Sequence, residues 1–362
     1  MPIVAGVDSS TQSVKVVLRD SDSGELIAST SRPHPDGTEI DPQHWWKALS
    51  DALEELSSHK ISAISIAGQQ HGMIALDKDG AVIRDALLWN DTRSDKAALD
   101  LNQEIPDIAL RTGSQLVASF TASKLRWLAD NEKENANKVA AIALPHDWLS
   151  WKLSGAKSLE TLFTDRSDAS GTGYFDSVKN DYCLDILATA IRNSKKITLP
   201  KVVAPNQFGA TSIDSIPIAA GAGDNAGAAL GLGASLGDLV ISLGTSGTAF
   251  AVSKSSTHDS SGEVAGFADA TGNFLPLACT LNAAKIFNTV ARSLSLSFEE
   301  FSSLALSAKA GAEGLRMIPH FDGERTPNKP RAKGSFHGIT HSNFTKENIA
   351  RASIEGVIAG MI

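Results

Sequence analysis

The sequence contains little cysteine and has no long uninterrupted apolar run. Cys183 and Cys279 are its two cysteines. They are far apart and belong to no pair with metal-ligand spacing, so a reducing cytosol is the simplest setting and we expect a cytoplasmic protein. The most apolar stretch, residues 216–243, is interrupted by Asp224 and Asp238. We therefore expect no membrane span and no membrane partner.

An excess of basic residues is also missing. The 362 residues include 33 Lys and Arg against 41 Asp and Glu, a formal charge of −8, which argues against nucleic acid or an anionic membrane as the main partner. The nine histidines form no ligand-spaced cluster, so zinc-type catalysis has little support. With 42% hydrophobic and 20% charged residues, the composition is that of a globular protein, and the length suggests about two domains.

The first half of the chain predicts strands, then helices. Short apolar runs predict strands over residues 3–7, 13–18, 25–31, 61–67 and 216–220. Asp41 is a good helix N-cap and Pro42 suits the first helical position, so a helix should begin there, with Trp45 and Trp46 in the core. Residues from about 94 to 195 are expected to be mainly helical, and an Ala/Gly-rich helix should follow residues 221–225.

One segment resembles another about 230 residues away. Residues 240–252 align without a gap on the N-terminal hairpin, so that Asp8 matches Ser242 and Ser13 matches Gly247. Two unrelated hairpins would explain this similarity, because Gly, Ser and Thr are common in turns. We favour a duplicated domain that begins with a hairpin, the second copy starting near Gly233. The expected domains are residues 1–232 and 233–362.

Two such hairpins facing each other across a cleft would suit a polyphosphate. Their turns offer backbone N–H groups and hydroxyls but few cations, and amide nests of this kind bind phosphate oxygens. The sequence has no Gly-x4-Gly-Lys-Ser/Thr, so it contains no P-loop. Gly221, Gly223 and Gly227 miss the spacing of a dinucleotide fingerprint.

Several motifs, taken in order, resemble the FGGY carbohydrate kinases. They are the two hairpin turns and residues 67–72 (Ala-Gly-Gln-Gln-His-Gly), 88–93 (Leu-Trp-Asn-Asp-Thr-Arg) and 221–225 (Gly-Ala-Gly-Asp-Asn). The resemblance covers the whole chain. It implies an α/β protein with the ribonuclease-H/actin-like two-domain fold and a cleft between the domains. The loop at 69–72, with Asp-Gly-Glu-Arg-Thr-Pro at 322–327, looks most like the members that phosphorylate D-xylulose.

The resemblance also implies a reaction, which is ATP-dependent phosphorylation of D-xylulose at its 5-hydroxyl with Mg²⁺. Asp224 matches the family's catalytic base, although its place before a helix also suits a cap. Asp8 matches the acid of the first phosphate hairpin and would hold Mg²⁺ through water, and we include both Asp8 and Asp224 as catalytic and metal residues. The replacement of Asp8 by Ser242 in the second copy favours function, because one site needs one such charge.

The remaining site residues are also assigned through the resemblance. The phosphate-facing, nucleotide-binding residues are Thr11, Gly244, Thr245 and Ser246, and the sugar-binding residues are Gln70, His71, Trp89 and Asn225. From the residues alone, a loop histidine is more often a structural hydrogen-bonding group, and a tryptophan after an apolar pair more often belongs to the core. Arg93 and Asp168 are weaker candidates, for which exposed ion pairing is the expectation.

Two features depart from the family. The first turn has Ser-Thr-Gln-Ser at 10–13 where the family has Gly-Thr-Ser-Gly, so a side chain could strain a left-handed position. The chain also ends at Ile362 within a helical pattern, from which we expect a truncated second domain without the adenosine loop. The exposed apolar faces of such a domain would suit a partner, for example in a homodimer.

Two alternatives to a xylulose-phosphorylating enzyme stay open. The first is another FGGY kinase, acting on ribulose, glycerol or gluconate. The second is a non-catalytic sugar-binding protein with the same fold, because fold alone does not determine function. Asp8 and Asp224 argue weakly against the second, since binding alone needs neither a base nor a metal acid.

Overall fold

The computed structural model describes residues 2–244, 246–321, 323–327, 329 and 331–361. The chain forms two compact units. The first unit contains residues 1–234, 253–260 and 266–275, and the second contains residues 235–252, 261–265 and 276–362. The domain boundary between residues 232 and 233 stays a prediction.

The first unit contains a mixed sheet and most of the helices. Its strands are β1 (Ile3–Ser9), β2 (Ser13–Asp20), β3 (Leu26–Pro33), β4 (Glu39–Ile40), β5 (Ile61–Gly68), β6 (Ile74–Leu76), β7 (Ala86–Leu87), β8 (Ala141–Ala143), β9 (Phe163–Asp165), β10 (Phe175–Asp176), β11 (Asp181–Tyr182), β12 (Lys201–Val203), β13 (Phe208–Thr211), β14 (Pro217–Ala219) and β15 (Ala222–Gly223). Its helices are α1 (Pro42–Glu55), α2 (Asp95–Glu104), α3 (Ile108–Thr112), α4 (Thr121–Asn131), α5 (Lys133–Lys138), α6 (Pro145–Leu153), α7 (Arg166–Ala169), α8 (Leu184–Ile191) and α9 (Asp224–Gly231), with a 3₁₀ turn at Leu159–Thr161.

The main sheet has the strand order β13–β14–β5–β1–β2–β3, and β15 also pairs with β5. Strand β2 is antiparallel to both β1 and β3, whereas β1, β14 and β15 are parallel to β5. The carboxyl ends of β1, β5 and β15 therefore meet at one edge of the sheet.

Alternation along β1 and β2 produces one buried face. Val7, Val14 and Val16 point into the core of the first unit, as expected for strands with one packed face. Helix α1 packs there with Trp45, which is fully buried, and Trp46, which is partly buried against the same core. The predicted start of α1 is confirmed, because the Asp41 carboxylate accepts a hydrogen bond from Gln43 N and proline occupies the first turn.

The second unit contains its own hairpin, formed by β16 (Leu239–Leu243) and β17 (Gly247–Ala251). Two further strands, β18 (Ala265–Ala268) and β19 (Phe274–Thr280), cross the boundary between the units, and β17 pairs antiparallel with the end of β19. The remaining elements are α10 (Ala284–Ser293), α11 (Phe298–Ser307), a 3₁₀ turn at Ala312–Gly314, β20 (Arg316–Ile318), β21 (Ser335–His337) and α12 (Lys346–Ala359). Apolar side chains of α10, α11 and α12 form the core of this unit.

The two hairpins match in their strand ends but differ in register. Strand β1 ends at Ser9 and β16 at Leu243, as the gapless alignment predicts. However, Ser9 pairs with Val14, whereas Leu243 pairs with Gly247. The second turn is therefore shorter by one residue.

The helices within the described residues are each too short or too polar to span a bilayer.

Candidate active site

The predicted site residues of the first unit follow the ends of three parallel strands. Asp8 on β1 is opposite Ala67 on β5, and Ala222 on β15 is opposite Ala67 from the other side. The residues that come next in each segment therefore share the carboxyl edge of the sheet. In parallel sheets, this edge is where ligands bind.

Asp224 is the first residue of α9, and Gly223 is its N-cap. The Asp224 carboxylate accepts two hydrogen bonds at Oδ1, from Asn225 N at 2.7 Å and from Asn225 Nδ2 at 2.9 Å. Burial raises the pKa of Asp224 to about 6, the Asn225 hydrogen bonds oppose this effect, and the Asp8 charge adds to it. Asp224 is thus not the cap residue itself. It is a half-buried carboxylate held by its neighbour.

Asp8 lies on the exposed side of β1, on the other side of β5 from Asp224. Although the residue is exposed, neighbouring protein atoms partly desolvate its carboxylate and raise the pKa of Asp8, while the charge of Lys15 lowers it. Its charge also raises the pKa of Asp224, so the two carboxylates repel each other. Two carboxylates offering only oxygen donors fit a hard cation such as Mg²⁺, which would relieve that repulsion.

The first hairpin turn is held by its own hydroxyls. Ser10 N and Oγ both donate to the Ser13 carbonyl, at 3.0 and 3.1 Å. Thr11 Oγ1 accepts a hydrogen bond from Trp89 Nε1 at 2.8 Å. Residues 10–13 all have negative φ, so none of them occupies the left-handed region and the serines cause no strain of that kind.

Gln70 and His71 form the loop after β5. Gln70 is buried, and its Nε2 donates to the Ser167 carbonyl at 3.1 Å. His71 has a φ of 68°, in the left-handed region, and its Nδ1 lies 2.6 Å from the Gly171 carbonyl oxygen. The His71 carbonyl accepts hydrogen bonds from Thr121 Oγ1 at 3.2 Å and from Lys124 Nζ at 3.1 Å. The loop is therefore fixed by its surroundings in a backbone shape that is costly for histidine.

Trp89 is 36% exposed, so it does not belong to the core. Its exposed indole ring, held by the hydrogen bond to Thr11, offers a flat apolar surface that a sugar C–H face could contact. Arg93 forms ion pairs with Asp91 at 2.8 Å and Glu39 at 2.6 Å, which confirms the expected ion pairing. For Asp168 the expectation was wrong, because this side chain is fully buried.

The sequence reasoning missed the partners of Asp168. The spacing of the histidines suggested no cluster, yet ligand-type atoms of His146, Asp147 and Asp168 lie within 4.8 Å of one another, all buried. Asp165 is a fourth member, 3.9 Å from the His146 ring. No short-range pattern links these positions. Only the packing of α6 against β9 and α7 brings them together.

The predicted nucleotide-binding residues of the second unit belong to the turn between β16 and β17. Gly244 and Ser246 are described there, and the Gly244 carbonyl accepts from Ala284 N at 2.9 Å. Thr245 lies outside the described residues, as does the first residue of the motif at 322–327. Within that motif Glu324 is buried and accepts hydrogen bonds from Thr280 Oγ1 and Leu281 N, each at 2.7 Å.

Comparison with known proteins yields matches to both units. The N-terminal domain of the FGGY family of carbohydrate kinases matches residues 3–231, and the C-terminal domain matches residues 239–362. A protein of Streptomyces rubiginosus named xylulose kinase is 42% identical over 378 aligned residues, covering 100% of this chain and 75% of its own length.

Solved structures agree in fold. The crystal structure of xylulose kinase from Bifidobacterium adolescentis has a TM-score of 0.92 at 43% identity, covering 99% of this chain and 80% of that one. A gluconate kinase from Lactobacillus acidophilus has a TM-score of 0.89 at 26% identity, covering 99% and 77%. These matches confirm the predicted actin-like α/β fold of two domains.

Both domain matches span nearly the whole chain in the order predicted from the motifs, and the relatives are sugar kinases. An enzyme of this kind takes a sugar and ATP as substrates. The chain is a member of the FGGY family of carbohydrate kinases.

Proposed function

We propose that this kinase transfers the γ-phosphoryl group of ATP to the 5-hydroxyl of D-xylulose, with Asp224 as general base. The observation that carries the proposal is the Asp224 carboxylate, half-buried where β15 ends and oriented by Asn225. The names of the relatives support the choice of sugar, since a protein 42% identical to this chain is named xylulose kinase.

Asp224 would act on the attacking hydroxyl. Above a pH of about 6 the carboxylate is ionised, so it accepts the hydroxyl proton while the sugar oxygen forms a bond to the γ-phosphorus. The bond from that phosphorus to the bridging oxygen breaks, and ADP leaves. Phosphoryl transfer requires mainly alignment and charge stabilisation, for which a carboxylate is a sufficient base.

Asp8 and Asp224 are the residues that would hold Mg²⁺, which when bound neutralises charge on the phosphates of ATP. Asp8 would act through water, because Mg²⁺ keeps several of its water ligands. The repulsion between Asp8 and Asp224 supports this assignment, since a cation beside them removes it.

The remaining assignments concern binding. We propose that Gln70, His71, Trp89 and Asn225 contact the sugar, and that Thr11, Gly244, Thr245 and Ser246 contact the phosphates of ATP. For Gln70, the bond from its side chain to Ser167 O supports a role in holding the loop while it contacts the sugar. For Trp89, the exposed indole supports stacking on a sugar C–H face.

The test is ADP release with ATP, Mg²⁺ and a panel of D-xylulose, D-ribulose, glycerol and gluconate. We expect turnover selective for D-xylulose. Selectivity for gluconate would instead favour the function named for the Lactobacillus acidophilus structure. Calorimetric binding of a sugar without any ADP release would favour the non-catalytic alternative, and it would contradict the assignment of Asp224 as a base.

A further inference from the structure

A buried histidine lies beneath the loop that carries Asp224. His146 follows Pro145 at the start of α6 and is fully buried. Its Nδ1 lies 2.7 Å from Asp168 Oδ2, and its Nε2 lies 3.3 Å from the carbonyl oxygen of Ala220. Both neighbours of the ring are hydrogen-bond acceptors. A neutral imidazole has one donor nitrogen, whereas an imidazolium has two. The geometry therefore fits the charged ring.

The surroundings of the ring are strongly negative. Asp147 Oδ1 lies 3.2 Å from Nδ1, and Asp165 Oδ1 lies 3.9 Å from Nε2. Burial disfavours the charged ring, but the carboxylates of Asp147, Asp168 and Asp165 outweigh it and raise the pKa of His146 well above its ordinary value. The second oxygen of Asp168, Oδ1, is buried with no hydrogen-bond partner among the described residues, so this carboxylate depends on the ring for compensation.

His146 also packs closely against two glycines, one just before β15 and one at the end of β5. Gly221 has a φ of +84°, and a Cβ atom there would lie 2.4 Å from His146 Cδ2. A Cβ atom on Gly68, the last residue of β5, would lie 2.9 Å from His146 Cβ. The imidazole is therefore in close contact with the backbone that leads to Asp224, whereas the Cβ and backbone atoms of His146 are in close contact with the end of β5, which leads to Gln70. Any residue other than glycine at 221 would displace the ring.

The segment that binds the ring also holds both loops. Ser167 lies next to Asp168 in α7, and its Oγ accepts a hydrogen bond from Gly223 N at 3.0 Å. The Ser167 carbonyl accepts from Gln70 Nε2 at 3.1 Å. Asp165 fixes the start of α7, because its carboxylate accepts from Ser167 N and Asp168 N at 2.6 and 3.0 Å. Movement of α7 would therefore move Gln70 and Gly223 together.

We propose that His146 is a permanently charged positioning residue, whose imidazolium holds residues 220–224 and α7 in the arrangement that aims the Asp224 carboxylate. The proposal rests on the function proposed above, in which Asp224 is the base. It also explains the cluster without a metal ion, because the 2.7 Å contact between His146 Nδ1 and Asp168 Oδ2 is a hydrogen bond. Positive charge at residue 146 is the property that the proposal requires.

Two substitutions separate charge from shape. His146→Gln keeps hydrogen-bonding groups but removes the charge, and we expect it to lower kcat by about 10- to 100-fold through misplacement of Asp224, with KM for ATP nearly unchanged. His146→Lys restores a buried cation, so kcat should return to within a few-fold of the original. His44→Gln is the matched control, because His44 is exposed on α1. Equal losses of kcat in His146→Gln and His146→Lys would overturn the proposal, as would full activity of His146→Gln.

A second measurement does not depend on folding of the variants. In ¹⁵N-histidine-labelled protein, both ring nitrogens of His146 should carry protons from pH 6 to pH 9, and a neutral ring at pH 7 would overturn the proposal. This spectrum is independent of turnover. If the protein phosphorylates no sugar, the proposed function fails, while the spectrum still decides the charge of His146. A different result would favour a metal ion bound by the His146 cluster. In that case a chelator added at constant free Mg²⁺ would lower kcat, and added Zn²⁺ would restore it.

Discussion

The indole N–H of Trp89 donates a hydrogen bond to Thr11 Oγ1 at 2.8 Å. Trp89 comes from the sequence motif assigned to sugar binding, and Thr11 comes from the turn assigned to phosphate binding. The two predicted subsites therefore share a direct contact within the first unit. A substitution at either residue should therefore alter the binding of both the sugar and ATP.

Trp89→Phe removes the donor and keeps an aromatic face. We expect a rise of about 2- to 10-fold in KM for ATP, the cost of losing one hydrogen bond, and a smaller rise in KM for the sugar. Steady-state kinetics with each substrate varied in turn measures both effects. Trp46→Phe is the control, because Trp46 packs against the core of the first unit. A rise confined to the sugar would contradict the shared contact.

Asp224→Asn should abolish turnover while leaving sugar affinity within a few-fold, because the amide cannot accept the hydroxyl proton but keeps the size of the side chain. It should also stabilise the protein at pH 7.5 by about 1 to 2 kcal/mol, since a charged group in a disfavoured environment is removed. Urea unfolding and calorimetry measure the two quantities. Persistent turnover would show that another group is the base.

The pH dependence follows from the raised pKa of Asp224. Turnover requires the ionised form, so kcat/KM for the sugar should rise with pH through about 6 and level off above it. Stability should change in the opposite direction. The folded state binds the Asp224 proton more tightly than the unfolded state, whose pKa is near 3.8, so this group's contribution to folding falls as pH rises from about 3.8 to 6. Comparing urea midpoints of the original protein and Asp224→Asn across this range isolates that contribution.

Asp8→Asn should raise the Mg²⁺ concentration needed for half-maximal turnover and should lower kcat. We expect the two effects combined to reduce turnover at low Mg²⁺ by about 10- to 100-fold, as is usual when a group that holds a metal's water ligands is lost. The substitution should also lower the pKa of Asp224, because the repelling charge is removed. Mg²⁺ titration of turnover tests the first effect, with Asp22→Asn on the exposed turn after β2 as control. Unchanged Mg²⁺ dependence would exclude Asp8 from metal binding.

Lys124→Met tests the support of His71. Lys124 is fully buried, and burial lowers its pKa to about 7. The substitution removes the hydrogen bonds from Lys124 Nζ to the carbonyl oxygens of His71 and Ser119, while Thr121 Oγ1 still donates to the His71 carbonyl. We expect a loss of about 1 to 3 kcal/mol in stability and a higher KM for the sugar. Lys133→Met, at an exposed position, should change neither. An unchanged sugar KM in a destabilised variant would restrict Lys124 to a structural role.

Local patterns in the sequence carried the prediction of the main strands, the capped start of α1 and the junction before Asp224. Each depends on residues close together in the chain, such as Asp41 and Pro42. The burial of Asp168 and its contact with His146 could not be predicted in this way, because the two residues meet only through packing of α6 on α7. The exposure of Trp89 is likewise decided by what packs around it. The one-residue difference in the register of the second hairpin has another cause. Small and hydroxyl-bearing residues are compatible with turns of more than one length, so the sequence does not determine the register.

The pairing of β15 with β5 has a consequence for how the enzyme acquires activity. The loop with Asp224 is joined to the sheet by two residue pairs, Ala222 with Ala67 and Gly223 with Gly68, between segments separated by most of the first unit. Closing so long a loop is slow compared with forming the N-terminal hairpin or α1. During refolding, recovery of the helical circular dichroism signal should therefore precede recovery of kinase activity. Recovery of catalysis would then report the formation of this long-range strand pairing.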